Sequence, residues 1–211
     1  MKLDKQIQAR KLRTAGNSVK QIAKILKVSK SSVSLWARDI ELTTEQRRVL
    51  DDRQIVSRLL VSRKIKLAAD KRHANFVKEG YGLAMSSEEF RLLVALYWGE
   101  GTKSMKQKSF RFTNSDACMI RKVFGWLCAN AFPVALRVSY YEENGLPQSV
   151  LQQWWLEKIP GLAAMKFDKA KISRASQRKN IGKLPYGTAT LYSNTRLFFM
   201  VMGGIDFLAG R

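Results

Sequence analysis

The stretch Leu93-Val94-Ala95-Leu96-Tyr97-Trp98-Gly99-Glu100-Gly101 constrains the fold more than any other. It is apolar for six residues and then closes on Gly-Glu-Gly. Upstream, Ser86 and Glu89 have capping-box spacing, which predicts a helix start there. Gly101 is a natural stop. Such a helix is apolar almost all round, so it is expected to be buried. Ala95 and Gly99, four apart, share one face and would let another backbone approach closely. Glu100 is the anomaly. A carboxylate in the last turn sits against the negative end of the helix dipole and costs up to about 1 kcal/mol. A metal ion or a neighbouring base such as Lys103 is expected to offset it.

The charge balance narrows the partners. Lys and Arg number 38 against 17 Asp and Glu, for a net charge of +21. Residues 1–80 carry +12 and the remainder +9, so both parts are expected to touch a polyanion, with DNA or RNA leading. Hydrophobic residues make up 45%, the composition of a globular chain. No apolar run reaches the roughly 18 residues of a membrane span, and no signal-peptide pattern follows Met1. The expectation is a cytoplasmic or nucleoid-associated protein with no membrane partner. Cys118 and Cys128, ten apart in one predicted helix, suit neither a disulfide nor a zinc site and read as small buried thiols. A single histidine, His73, excludes histidine-rich metal chemistry.

The first 42 residues read as three helices. Ile7, Leu12 and Ala15 mark the first, which Gly16-Asn17 ends. Ser18 can cap a second from Val19 to Leu26, and Ser29 a third running to about Ile40. The run Ser18-Val19-Lys20-Gln21-Ile22-Ala23, then Val28-Ser29, then Val33 and Trp36, resembles the helix-turn-helix of resolvases and many repressors. Lys27 stands where that motif usually has glycine, and a positive φ there would be strained. The resemblance implies that the third helix enters the major groove of double-stranded DNA, with Lys30, Ser31, Ser32, Ser34 and Arg38 as contact residues.

Residues 43–82 read as a basic helical linker. Thr43 and Gln46 repeat the capping-box spacing, and Gly80-Tyr81-Gly82 is expected to mark a boundary. The domain that follows, 83–211, alternates helical and strand-like patterns. Phe110-Arg111-Phe112-Thr113 alternates as a half-buried strand, and Asn114-Ser115-Asp116 is a cap signal for a helix to about Ala131. Leu136 to Tyr141 alternates again and Asn144-Gly145 signals a turn. A helix follows from Gln148 to Ile159. Runs at Met165–Arg174 and Tyr186–Tyr192 read as strands around a basic loop, Arg178 to Lys183. Asn194 can cap a last apolar helix to about Leu208.

The nonapeptide at 93–101 and this order of elements resemble the LAGLIDADG homing endonucleases and their relatives. Leu93, Leu96 and Gly101 match that motif identically; Trp98 departs from it at the first acidic position. The resemblance implies an α+β chain: a three-helix N-terminal module, a helical linker, and an αββαββα saddle domain with one strand shrunken and one helix inserted. It further implies Glu100 and Gly101 as ligands of Mg²⁺ or Mn²⁺, and Glu100, Asn114 and Lys103 as the catalytic set. Arg111, Thr113, Arg137, Ser139, Lys169, Lys171, Tyr186, Thr188 and Thr190 form its outward, DNA-facing set. The family's strand lysine has no counterpart in Thr188–Ser193; Lys103 or Lys183 would have to replace it. With a single copy of the motif (Met202 to Asp206 is a poor second), the resemblance implies a homodimer through Leu92, Ala95, Leu96 and Gly99. The expected activity is cleavage of DNA at a pseudo-palindromic site; the alternative is a non-cleaving transcriptional regulator on the same fold.

Overall fold

The computed structural model describes residues 2–140, 146–162, 166–169 and 184–211. They divide into two compact units, 1–69 and 70–211.

In the first unit, α1 (Lys2–Thr14), α2 (Val19–Leu26) and α3 (Lys30–Trp36) enclose a small core of Ala9, Ile22, Ala23 and Val33, with Leu12, Val19, Leu26, Val28 and Trp36 packed against it. The cap residues act as the sequence predicts. The Gln21 amide donates to Ser18 Oγ at 3.2 Å and the Ser18 amide to Gln21 Oε1 at 2.9 Å, a complete capping box. Ser32 N donates to Ser29 Oγ at 3.1 Å to start α3. Lys27, between them, has φ 52° and ψ 50°, so a side chain does occupy the left-handed turn position. The third helix is shorter than expected: it stops at Trp36. Asp39 lies in the turn that follows, where it takes both guanidinium nitrogens of Arg10 at 2.7 Å, while Arg10 also donates to the Trp36 carbonyl at 2.8 Å. This fork from α1 holds the end of α3.

The helix α4 (Thr44–Ser86) opens on the expected capping box, Thr43 with Gln46, and spans 43 residues. It does not break at Gly80-Tyr81-Gly82. Gly80 is a contact instead: a Cβ there would lie 1.8 Å from the Met200 carbonyl oxygen of α8 (Thr195–Leu208). Gly203 answers from α8, where a Cβ would lie 2.0 Å from the Val77 carbonyl oxygen. Two glycines thus let the backbones of α4 and α8 cross in contact.

The other elements of the second unit are α5 (Glu88–Glu100), β1 (Arg111–Asn114), α6 (Ala117–Ala129), β2 (Ala135–Tyr140), α7 (Gln148–Lys158), β3 (Lys166–Lys169) and β4 (Thr188–Tyr192). This is the expected order of helices and strands in an α+β unit. Gly101, at the end of α5, forms one isolated antiparallel bridge with Phe112 of β1. The sheet order is β1-β4-β2-β3, antiparallel across β1, β4 and β2, with β3 parallel on the edge of β2. Phe112, Leu136, Val138, Tyr140, Ala189 and Leu191 line its buried face. Against them pack Ile120, Val123, Phe124 and Leu127 of α6, and a nearly all-apolar α8 contributes to the same core. Cys118 and Cys128 fall off that face of α6 and are exposed free thiols, not buried ones.

Two expectations about α5 change. Its cap is Ser87, whose Oγ accepts from Phe90 N at 3.1 Å; Ser86 ends α4 and bonds back to the Gly82 carbonyl. Nor does α5 lack a partner within the chain. Phe90 and Val94 pack on α8 at Gly204, where a Cβ would come within 2.5 Å of Val94 Cγ2. The small residues that permit close approach are therefore on α8. The opposite side of α5 is open: Ala95 and Gly99 are exposed, Leu92 is 51% and Trp98 42% exposed, and Leu96 is half-buried.

Candidate nucleic-acid interface

The first unit presents α3 with Val33 inward and Lys30, Ser31, Ser34 and Leu35 exposed; Arg38 is exposed in the turn after it. Four of the five predicted contact residues are thus free to meet a ligand. Ser32 is not, because its hydroxyl lies 2.9 Å from Ser29 Oγ within the cap. Leu35, 63% exposed, is the residue that sequence reasoning missed. Its signal was present: it lies four residues from Ser31 and two from inward Val33. An apolar side chain on a reading helix suits a thymine methyl group.

In the second unit, strand register gathers a face. Arg111 pairs with Tyr192 and Thr113 with Thr190 across β1 and β4; Thr190 pairs with Arg137 and Thr188 with Ser139 across β4 and β2. Directly paired residues share a face. Six of the predicted outward residues, Arg111, Thr113, Arg137, Ser139, Thr188 and Thr190, therefore lie together. Beside them, at the end of β4, is Tyr192, not foreseen as a site residue, with the guanidinium carbons of Arg111 and Arg137 each 5.4 Å from its ring centre. Thr113 and Thr190 join their hydroxyls at 2.9 Å.

Two predicted members do not join them, and a third is not described. Tyr186 precedes β4, stacks on Trp154 at 4.2 Å, and its carbonyl accepts from Trp155 Nε1 at 2.9 Å, so it belongs to the packing of α7. Lys169 is in register with Tyr140 rather than with Ser139. Lys171, like Lys183 and the loop 178–183, lies outside the described residues.

Around Glu100 the geometry is specific. Gly101 ends α5 with φ −81°, so its glycine serves space and not a left-handed turn: a Cβ would lie 2.5 Å from the Tyr97 ring. Tyr97 is buried, stacks on Phe110 at 4.6 Å and donates its hydroxyl to the Thr102 carbonyl at 2.5 Å; burial pushes its pKa up to about 12. Lys103 does not pair with Glu100. Its ammonium donates to the Trp98 carbonyl at 2.8 Å and the Gly101 carbonyl at 3.1 Å, capping the negative end of the helix. Glu100 is exposed and has no ion pair or hydrogen bond among the described residues. Asn114 lies two residues beyond the Gly101–Phe112 bridge, and its Oδ1 accepts from Asp116 N at 2.8 Å. Asp116, not Asn114, caps α6.

Two of the expected ligands already have partners within the chain. The carbonyl expected as a ligand faces an ammonium, Asn114 is spent on a turn, and among the described residues no three His, Cys, Asp or Glu side chains converge.

Residues 1–33 match the helix-turn-helix domain of resolvase. The N-terminal module is a DNA-binding domain of that type. The match spans α1, α2 and the first half of α3, so left-handed Lys27, between α2 and α3, lies at its turn. No LAGLIDADG family match accompanies it. No curated protein matches the chain, and no solved structure matches it. Among the described residues no helix is long and apolar enough to cross a membrane.

Proposed function

We propose that this chain is a sequence-specific double-stranded DNA-binding protein that acts by occupying its site rather than by cutting it. The observation that carries the reading is the helix-turn-helix with the outer face of α3 uncovered. In this reading Ser31, Ser34 and Leu35 meet base edges while Lys30 and Arg38 take phosphates. The sheet face around Tyr192 adds a second, sequence-independent contact through Arg111 and Arg137. Non-cleaving action is supported by Lys103, which already neutralises the end of α5 where the family resemblance calls for a divalent ion.

Cleavage is a second reading, supported by one observation. Glu100 is an exposed carboxylate without a partner among the described residues, at a helix end that disfavours it. Mg²⁺ or Mn²⁺ would there require Glu100 of two copies, joined across the open side of α5 that holds Leu92, Ala95, Leu96 and Gly99.

One experiment separates them. A pool of randomised duplexes is incubated with the protein and with Glu100→Gln, with and without Mg²⁺ or Mn²⁺. Selective, salt-sensitive retention without breaks is the expected result. Discrete metal-dependent breaks, lost in the variant, would establish the nuclease instead.

A further inference from the structure

The middle of α4 is a solvent-exposed helix that carries the residues of a core. Every described residue from 51 to 68 is exposed, among them Val56 at 55%, Leu60 at 62% and Leu67 at 62%. A helix held only by its ends, with this much apolar surface in water, is incomplete.

The spacing of one face says what completes it. Positions 49, 53, 56, 60, 63, 67, 70 and 74 alternate steps of four and three, the heptad seam of a two-helix coiled coil. Val49, Val56, Leu60, Leu67 and Ala74 are its apolar members, all exposed. Arg53, Arg63 and Asp70 fill the rest. Two parallel copies would set Arg53 on Arg53, Arg63 on Arg63 and Asp70 on Asp70, each like on like. An antiparallel pair centred between residues 61 and 62 does the opposite. It puts Arg53 against Asp70, Val56 against Leu67 and Val49 against Ala74, so that seam meets seam throughout. Just outside, the same register sets Asp52 against Lys71. At the centre Arg63 meets Leu60, where its aliphatic stem can cover the leucine while the guanidinium reaches water. None of Asp52, Arg53, Asp70 and Lys71 has an ion pair or hydrogen bond among the described residues, so each is available.

We propose that α4 pairs antiparallel with α4 of a second copy of this chain through the Val49–Ala74 seam. The proposal stands apart from the DNA-binding reading and uses a different surface from the open side of α5. It gives each particle two helix-turn-helix modules, the arrangement that matches a protein twofold to a palindromic site.

The test is the mass of the full chain in solution by sedimentation, in high salt and without DNA. Wild type is expected to be a dimer. Leu60→Glu is expected to be monomeric with unchanged helical circular dichroism, because the site is exposed within the chain, while Leu92→Glu stays dimeric. Arg53→Asp should weaken association about tenfold or more, and adding Asp70→Arg in the same chain should restore it. With Cys118 and Cys128 replaced by serine, a mixture of Val56→Cys and Leu67→Cys chains should form a disulfide dimer that neither forms alone. A monomeric wild type, a dimer that survives Leu60→Glu, a charge exchange that fails to rescue, or Val56→Cys linking to itself would each overturn the antiparallel pair. Loss of the dimer in Leu92→Glu alone would move the interface to α5.

Discussion

Two ion contacts decide how individual residues behave. Arg10 holds the Asp39 carboxylate through two hydrogen bonds, which lower its pKa to about 2. A carboxylate whose pKa falls on folding stabilises the fold above its unfolded pKa, near 4, and that contribution fades as pH drops toward 2. The helix-turn-helix is therefore expected to lose stability across that window, and Asp39→Asn to lose the pH dependence while melting lower at neutral pH. A carbon-detected titration of the side chain, with a midpoint near 4 instead of 2, would refute this. Lys103 is the second case. Because it caps carbonyls rather than pairing with Glu100, Lys103→Met is expected to cost about 0.3–1 kcal/mol. Glu100→Gln, which removes a charge the dipole disfavours, is expected to be neutral or slightly stabilising. Matched urea denaturation of the two variants checks the assignment; equal losses would mean that the two side chains act as a pair.

Among the elements, the crossing of α4 and α8 depends most on a single atom. Neither Gly80 nor Gly203 has room for a Cβ without moving a backbone. Gly80→Ala should force the helices apart and cost at least about 1–3 kcal/mol, the range of overpacked cores. Gly82→Ala, one turn-side away and open, should stabilise by up to about 1 kcal/mol because alanine is the better helix former. The contrast shows what the sequence could and could not reveal. Caps were legible at Ser18, Ser29, Thr43 and Asn194 because a cap is decided within four residues. The outward face of Arg111, Thr113, Arg137 and Ser139 was legible because strand alternation is local too. Gly80 was not: a glycine that ends a helix and a glycine that admits a neighbour look alike until Met200, 120 positions on, is placed against it. Trp155, which binds Tyr186 into the packing of α7, and α8, which covers α5, were hidden for the same reason. At the candidate site the sequence singled out Glu100 and Lys103, yet it could not show that the lysine turns back onto the helix end.

For the whole molecule the question is how +21 of charge is used on DNA. A phosphate-bound base releases condensed counterions, so each such contact adds about −0.9 to the slope of log affinity against log salt. A base-reading residue adds little to that slope but much to discrimination. The two surfaces should therefore separate by experiment. Arg111→Ala and Arg137→Ala are expected to weaken binding to all duplexes alike and to flatten the slope by about one each. Ser34→Ala and Leu35→Ala are expected to leave the slope unchanged while relaxing base preference at one or two positions, by about 1–3 kcal/mol against the selected base. Fluorescence anisotropy over a salt series, on a selected duplex and on a scrambled one, reads both quantities. If the sheet variants left slope and affinity untouched, Tyr192 and its two arginines would be a structural cluster, and all DNA contact would fall to the first unit. The charge spread argues otherwise, since residues 81–211 still carry +9. In the proposed reading the helix-turn-helix delivers the chain to DNA, so the bases of residues 81–211 would meet phosphates at high local concentration, where weak contacts suffice.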